Sequence, residues 1–271
     1  MCGRFAMTTD PARLALELDA IDETGVSGAS NYGAANYGAA NYGAANYGAA
    51  NYNVAPTTPI VAVVDREDHR RIRLMRWGLL PSWVKPGPDG GPPTRGPQLI
   101  NARAETVTTS PAFRSAAARK RCLIPMDGYY EWQPNEPHAE GAGTHPRRGR
   151  KTPFYFFRPD GKPLLVAGLW SVWRPGPDPA AEPMLTCTVI TTDAVGGFAR
   201  VHDRMPLVLA ESDWDRWLDP EAPAPQDLLV GPPDTAPMAM REVSTMVNNV
   251  ANNGPELIEP AGPGNQPVGL F

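Results

Sequence analysis

Proline and glycine interrupt this chain so often that it is restricted to short elements. Its 271 residues include 32 prolines and 26 glycines, and 42% of the residues are hydrophobic. Proline breaks helix interiors, and glycine weakens helices and strands alike. The apolar segments between these residues are short and rich in the β-branched and aromatic side chains typical of strands. The sequence therefore predicts a mostly β protein with few short helices and one core.

The hydrophobic pattern locates the expected elements. Helices are predicted at residues 9–18, 110–119 and 212–218, with Asp10 and Ser212 as N-caps and Pro11 in the first turn. The charged residues 65–71 are predicted to form the turn between the first two strands. The predicted strands cover residues 60–64, 72–77, 121–124, 128–132, 154–157, 164–170, 185–191 and 238–243.

A low-complexity array lies near the start of the chain. From Asn31 to Ala50 the unit Asn-Tyr-Gly-Ala-Ala occurs four times. A period of five matches neither the helix nor the strand repeat, and each glycine would cost a helix about 1 kcal/mol relative to alanine. The array predicts a flexible, exposed insertion, with stacking of its tyrosines on nucleic-acid bases as the alternative.

Composition argues against several classes of protein. The net charge of −4 disfavours indiscriminate nucleic-acid binding but leaves room for a local basic groove. The sequence shows neither a membrane span nor a signal peptide, which favours the cytoplasm. Cys2, Cys122 and Cys187 lack the spacing of a disulfide framework or a zinc site, and the four histidines show no ligand pattern. With no phosphate-binding glycine motif either, we expect no metal and no cofactor.

The second residue offers unusual chemistry. If Met1 is removed, Cys2 carries a free α-amine and a thiol on adjacent carbons. The amine can condense with an aldehyde to an imine, and the thiol can then close a thiazolidine ring on the same carbon. The same thiol could instead attack a carbonyl as a peptidase nucleophile. Unperturbed pKa values of roughly 7.7–8.0 for the amine and roughly 8.5 for the thiol make both reactive forms accessible near neutral pH.

One polar cluster, Asn101 to Glu105, reads as a strand with alternating side chains. Asn101, Arg103 and Glu105 would then share one face. They form either an exposed ion-paired strand or a site. In a site, Asn101 would hydrogen-bond a reacting amine or oxyanion, and Arg103 would bind a phosphate in bidentate fashion.

Further downstream and upstream lie other candidate groups. Glu131 is flanked by aromatic residues, so burial would raise its pKa toward general acid–base use; the alternative is an outward-facing glutamate. His202 could transfer protons near neutral pH and Arg204 could bind a phosphate, unless both are structural. Trp77 and Trp83 suit base stacking or simple core burial.

Six segments, taken together, resemble the SOS response-associated peptidase (SRAP) family, and residues 243–260 resemble its C-terminal segment. The resemblance implies an α+β fold: a single compact domain built on a curved, barrel-like antiparallel β-sheet with short flanking helices. The domain would span residues 2–261, interrupted by the array at 31–50, with 262–271 as a C-terminal tail. The six segments are Cys2-Gly3-Arg4-Phe5, Tyr52-Asn53-Val54-Ala55-Pro56, Trp77-Gly78-Leu79, Asn101-Ala102-Arg103-Ala104-Glu105-Thr106, Gly128-Tyr129-Tyr130-Glu131-Trp132 and His202-Asp203-Arg204-Met205-Pro206.

The resemblance also implies a chemical function. Members of the family bind single-stranded DNA and cross-link covalently to abasic sites by Schiff-base chemistry that ends in a thiazolidine. By similarity, Cys2 would be the cross-linking residue, Asn101 would position its amine or the sugar, and Glu131 and His202 would transfer protons. The family name implies a cysteine-type peptidase activity that would include removal of Met1.

Binding to single-stranded DNA would use further residues. Arg4, Arg103 and Arg204 resemble the family's phosphate-contacting arginines, and Trp77 would line the DNA groove. The expected protein is a monomer without metal, cofactor or membrane, cytoplasmic and nucleoid-associated when bound to DNA. Two alternatives stay open: a cysteine peptidase acting on peptides in trans, and a non-covalent single-stranded DNA-binding module.

Overall fold

A computed structural model describes residues 2–25, 50–135, 151–176, 182–262 and 268–269. The predicted insertion lies outside the described residues except for Ala50, so its expected flexibility stays a prediction. The described strands are β1 (Arg4–Met7), β2 (Ala20–Asp22), β3 (Asn51–Val54), β4 (Pro59–Arg66), β5 (His69–Trp77), β6 (Asn101–Arg103), β7 (Arg121–Met126), β8 (Gly128–Pro134), β9 (Lys151–Phe157), β10 (Leu164–Trp173), β11 (Met184–Asp193), β12 (Arg204–Pro206), β13 (Ala239–Glu242) and β14 (Val268–Gly269).

The helices of the described ranges are short. They are α1 (Pro11–Glu17), α2 (Arg114–Arg119), α3 (Trp214–Leu218) and α4 (Gln226–Val230), with 3₁₀ turns at Gly196–Arg200, Glu211–Asp213, Thr245–Asn248 and Pro255–Leu257. None of the helices in this part of the chain is long and apolar enough to cross a bilayer.

The strands form two sheets, and the larger one closes into a barrel. Its order is β12-β11-β10-β7-β4-β5-β2, and β5 also pairs with β11, so five strands form a closed ring. The closing contact is parallel, with Thr186 opposite Arg76 and Cys187 opposite Trp77. The second sheet has the order β14-β13-β9-β8-β1-β3 and is antiparallel. The predicted α+β fold with a barrel-like sheet is therefore confirmed.

Both faces of the barrel wall are buried, which explains the continuous apolar runs. In β4, Ile60 and Ala62 belong to the cluster shared with the second sheet. Val61 and Val63 point the other way, into a cluster that includes residues of all four helices. Side chains alternate across a strand, so a strand buried on both sides is apolar throughout. The site described below lies on the side that faces the second sheet.

The hairpin between β4 and β5 is tighter than the sequence suggested. A turn over residues 65–71 was expected, but Arg66 pairs with His69 and only Glu67 and Asp68 lie between the strands. Their φ angles are 57° and 60°, the left-handed values that a two-residue hairpin turn of type I′ requires. The prediction was wrong because charged side chains at an exposed hairpin end do not prevent strand pairing.

Of the two predicted helix N-caps, the structure confirms Asp10 and contradicts Ser212. Asp10 accepts hydrogen bonds from two amides of the first turn of α1, as predicted for its N-cap. Ser212 does not cap α3, because it lies inside the 3₁₀ turn Glu211–Asp213 that runs directly into that helix. The last two residues described, Val268–Gly269, pair with β13.

Arg121 is a large polar side chain that is buried at the barrel wall. It is 2% exposed, and its guanidinium donates to backbone carbonyls of α2 and of the segment around α3. The guanidinium also lies over the Trp217 ring, 5.9 Å from its centroid. Burial lowers the pKa of Arg121. The arginine therefore connects β7 to two helices and satisfies carbonyls that would otherwise be buried without donors.

Arg121→Met is expected to lower the free energy of unfolding by about 3–5 kcal/mol, because several buried carbonyls lose their donors together. Urea unfolding followed by circular dichroism measures the change. Arg119→Met is the matched control, since that side chain is 67% exposed and pairs only loosely with Glu221 at 3.5 Å; its effect should stay within about 0.5 kcal/mol. Equal midpoints for the two variants would contradict the role assigned to Arg121.

Candidate active site

Cys2 lies just before β1, inside the cluster between the barrel and the second sheet. It is fully buried and shares this cluster with Phe5, Trp77 and Tyr129. The Asn101 side chain donates from Nδ2 to the Cys2 carbonyl oxygen at 2.8 Å. Since Asn101 begins β6, which pairs in parallel with β11, a barrel strand fixes the position of the cysteine backbone. The structure thus brings together two residues that are 99 positions apart in sequence.

The environment of Cys2 keeps its sulfur protonated. Burial raises the pKa of the Cys2 thiol far above its ordinary value, and the negative charge of Glu131 raises it further. The sulfur makes a long contact with the Arg4 carbonyl oxygen, at 3.9 Å. A thiolate, the strongly nucleophilic form, is therefore disfavoured at neutral pH in this structure.

Glu131 is a buried carboxyl group in the middle of β8. It is 3% exposed and lies opposite Phe154 of β9. Burial raises the pKa of Glu131, while the chain's amino terminus and the nearby His202 act in the opposite direction. The desolvation expected from its aromatic flanks is confirmed. The carboxyl can hold a proton at a higher pH than an ordinary glutamate, as a general acid must.

Gly128 allows β8 to lie close to β9. A Cβ at this position would lie 2.4 Å from the Phe156 carbonyl oxygen and equally close to the Tyr155 ring. Only glycine fits, so the Gly-Tyr-Tyr-Glu-Trp segment starts with the residue that sets the position of the strand carrying Glu131.

His202 is half-buried in the segment before β12. Its Nδ1 accepts the Arg204 backbone N–H at 3.0 Å and also lies 2.8 Å from Asp203 Oδ1. An amide can only donate, so Nδ1 of the neutral ring carries no proton and Nε2 carries it. Because Nδ1 then has no hydrogen to donate, its contact with the Asp203 carboxylate is not a hydrogen bond. The Asp203 side chain is 86% exposed, so water can solvate it. The effect of His202 on the Glu131 pKa shows that the two groups lie within electrostatic reach.

Arg204 joins the segment after β6 to the strands beside it. Its guanidinium binds Glu105 in bidentate fashion at 2.7 and 3.0 Å, and Asp193 at 2.6 Å. The bond from Arg204 lowers the pKa of Glu105. The expected strand face shared by Asn101, Arg103 and Glu105 does not form, because β6 ends at Arg103 and Glu105 lies in the following turn.

The other two arginines differ in accessibility. Arg4 donates to the side-chain oxygen of Asn53 and to the carbonyl oxygens of Val247 and Asn248. Arg103 is exposed. Arg4 and Arg204 are thus engaged within the protein, and Arg103 faces solvent.

Asn53 is a structural residue that the sequence reasoning did not single out. It is 4% exposed, and its Nδ2 lies within hydrogen-bond distance of the carbonyl oxygens of Val247, Asn249 and Asn252. Together with Arg4 it holds the C-terminal segment against β1 and β3. Its place in the Tyr-Asn-x-Ala-Pro motif was the only signal in the sequence.

The expectation that Trp77 lines a DNA groove is wrong. Its side chain is fully buried, edge-on to Phe5 with ring centroids 5.0 Å apart, and its Nε1–H donates to the Ile100 carbonyl oxygen at 2.9 Å. The ring has no open face for a base. Trp83, the other tryptophan considered for base stacking, is 67% exposed instead.

Cys2, Cys122 and Cys187 are free and buried. Across the described ranges, no group of three or more His, Cys, Asp or Glu side chains is placed to hold a metal ion.

The sequence profile of the SOS response associated peptidase (SRAP) family matches residues 1–250, and the chain belongs to this family. The match covers every site residue described above.

Individual relatives carry a more specific name. The chain is 36% identical to "Abasic site processing protein YoqW" of Bacillus subtilis over 209 residues, 76% of this chain and 84% of that protein. It is 31% identical to "Abasic site processing protein YedK" of Escherichia coli over 212 residues, 77% of this chain and 83% of that protein. A crystal structure of a Bacteroides thetaiotaomicron protein has the same fold, with a TM-score of 0.68 at 21% identity, covering 96% of this chain and all of that one.

Proposed function

We propose that this protein senses abasic sites in single-stranded DNA and shields them by a covalent thiazolidine cross-link through Cys2, after Met1 is removed. The observation that carries the proposal is the position of Cys2. Its carbonyl oxygen accepts a hydrogen bond from Asn101, and its thiol lies close enough to the buried Glu131 for the carboxyl group to raise the thiol pKa. Family membership and the names of the relatives, which are abasic site processing proteins, support it.

The reaction balances without a metal or cofactor. Opening of the abasic sugar exposes an aldehyde at C1′. The Cys2 amine attacks this carbon, and the carbinolamine loses water when an acid protonates its hydroxyl group, leaving an imine. The Cys2 sulfur then adds to the imine carbon while its proton passes to the nitrogen. One thiazolidine and one water form, and the aldehyde that would promote strand cleavage by elimination is consumed.

The buried, protonated thiol suits this order of events. An amine can begin the reaction without a thiolate, and the sulfur is needed only when an electrophilic imine carbon lies beside it. Such intramolecular closure is worth up to roughly 7–11 kcal/mol of barrier relative to a bimolecular step. We assign proton transfer to Glu131 and His202, since Glu131 retains a proton unusually well. A peptidase acting in trans would need the thiolate that burial of Cys2 disfavours.

The proposal includes how DNA is held. Arg103, which is exposed, would contact a phosphate directly, whereas Arg4 and Arg204 would have to exchange their present partners for phosphate oxygens. The exposed indole of Trp83 would stack on a base. Binding through phosphates is expected to depend little on the base sequence of the DNA and to weaken as the salt concentration rises. We place a monomeric protein in the cytoplasm, at the nucleoid when it is bound to DNA. We assign the removal of Met1 to self-processing by Cys2.

The test uses purified protein and single-stranded DNA with one abasic site, analysed on a denaturing gel. A slower band is expected, absent when a tetrahydrofuran analogue without an aldehyde replaces the site, and absent in Cys2→Ala. Cross-linking that persists in Cys2→Ala would refute the nucleophile. Salt-sensitive affinity without any covalent product would instead favour a binding module, and peptide turnover without DNA would favour a peptidase.

A further inference from the structure

Tyr129 carries a buried hydroxyl group without a hydrogen-bond partner. The residue is 1% exposed, and its Oη contacts no donor or acceptor of the described chain. Its ring is stacked on Phe156, with centroids 4.7 Å apart and planes 6° from parallel. By contrast, the neighbouring Tyr130 donates its Oη–H to the Tyr52 carbonyl oxygen at 2.7 Å. Buried polar groups are almost always paired, so the Tyr129 hydroxyl points to a ligand group.

This hydroxyl belongs to the surroundings of Cys2. Tyr129 precedes Glu131 by two positions on β8, so the two side chains leave the same face of the strand. Tyr129 and Cys2 also pack in one cluster. Burial raises the pKa of Tyr129, and the nearby Cys2 and Glu131 side chains act in the same direction. The phenol therefore stays neutral and keeps a proton to donate.

A second unpaired atom complements the first. Asn101 Oδ1 is buried without a donor, although Nδ2 of the same side chain binds the Cys2 carbonyl oxygen. Among the described residues near Cys2, Tyr129 thus offers an unsatisfied donor and Asn101 an unsatisfied acceptor. An alcohol can satisfy both, because it accepts one hydrogen bond and donates another.

The opened abasic sugar has one such alcohol. Ring opening breaks the C1′–O4′ bond and moves the proton of the C1′ hydroxyl to O4′. The O3′ and O5′ atoms remain in phosphodiesters, so the C4′ hydroxyl is the only free one within a strand. Capturing it would also prevent the ring from closing again on the aldehyde.

We propose that the Tyr129 hydroxyl binds the C4′ oxygen of the ring-opened deoxyribose, with Asn101 Oδ1 accepting the hydrogen of that hydroxyl, and thereby holds the aldehyde open beside Cys2. This inference rests on the proposed function and adds a positioning residue to it. Tyr129 selects for the open sugar, whereas Cys2 performs the covalent step.

Tyr129→Phe tests the inference, because it removes only the hydroxyl and keeps the ring that stacks on Phe156. Cross-linking rates are measured on two single-stranded DNA probes. One holds an abasic site, and the other holds an acyclic aldehyde with hydrogen in place of the C4′ hydroxyl. Tyr129→Phe should react roughly 5- to 30-fold more slowly with the abasic site, the range expected for one lost hydrogen bond, and within about twofold of the unmodified protein with the acyclic probe.

Tyr130→Phe is the matched control. It removes a phenol on the opposite face of β8 and should leave the ratio of the two rates unchanged. Equal slowing on both probes, or no slowing on the abasic site, would overturn the role of Tyr129. Failure of the unmodified protein to cross-link either probe would overturn the proposed function as well. Tyr129→Phe should unfold at no lower urea concentration, since it removes an unpaired buried hydroxyl, so slower cross-linking would not reflect unfolding.

Discussion

Cys2→Ser is expected to abolish the stable cross-link to abasic DNA while leaving DNA affinity intact. Serine retains the α-amine, so the imine can still form. Its hydroxyl is a far weaker nucleophile than the thiol, so the ring does not close and the imine hydrolyses when the protein is denatured. Adding borohydride during the reaction delivers a hydride to the imine carbon and should recover the lost band as a stable secondary amine.

Cys122→Ala is the matched control for the loss of a buried sulfur. Cys122 is also free and fully buried, but it lies on β7 of the barrel and has no part in the proposed reaction. This variant should cross-link at the normal rate per folded molecule. A heat-resistant adduct of Cys2→Ser without borohydride would show that sulfur is not needed, and the thiazolidine would then be the wrong product.

Glu131→Gln is expected to slow cross-linking by roughly 10²–10⁴-fold, the usual contribution of a positioned acid or base. DNA affinity should be retained, since the side chain is buried and makes no surface for DNA. Single-turnover rates with an excess of protein measure the chemical step, and equilibrium binding to the tetrahydrofuran analogue measures affinity. A variant that reacts at the normal rate would remove Glu131 from proton transfer.

The same substitution should stabilise the fold at neutral and alkaline pH. Burial raises the pKa of Glu131 in the folded state above the ordinary value of 4.5. At a pH between the ordinary pKa and the raised pKa, the folded state binds a proton that the unfolded chain has released. The free energy of unfolding therefore falls as the pH rises through this range. Glutamine does not ionise. Glu131→Gln should therefore be more resistant to urea near pH 8 than the unmodified protein, and the difference should shrink as pH falls below 4.5.

Glu105→Gln provides the comparison of opposite sign. The bond from Arg204 lowers the pKa of Glu105, so its charge contributes stability that is present at neutral pH and lost as pH falls through the lowered value. This variant should be less stable near pH 8, by a modest amount because Glu105 is 45% exposed. If both variants lost stability at pH 8, burial would not be the dominant influence on Glu131.

Local patterns and the family resemblance predicted the elements that depend on nearby residues. The apolar run of β4 and the N-cap at Asp10 are local properties, and both agree with the structure. The expected desolvation of Glu131 followed from its aromatic neighbours on the same strand. The sequence did not predict the type I′ turn at Glu67 and Asp68, because neither residue is the glycine or asparagine that usually marks such a turn.

Distant pairings explain the remaining errors. The sequence suggested that Trp77 could stack on a base, but its side chain is fully buried where β5 pairs with β11. This pairing closes the barrel, and no local sequence pattern reveals it. The engagement of Arg204 by Glu105 likewise depends on residues 99 positions apart. The unpaired hydroxyl of Tyr129 is a property of packing alone, because an identical residue follows it in the chain and has a partner.

Mass spectrometry of the nuclease-digested cross-link tests the central claim most directly. We predict a single modified peptide that begins with Cys2, lacks Met1, and carries the abasic deoxyribose remnant with the loss of one water, without reductive trapping. An adduct on a lysine side chain, or on a peptide that retains Met1, would contradict the account.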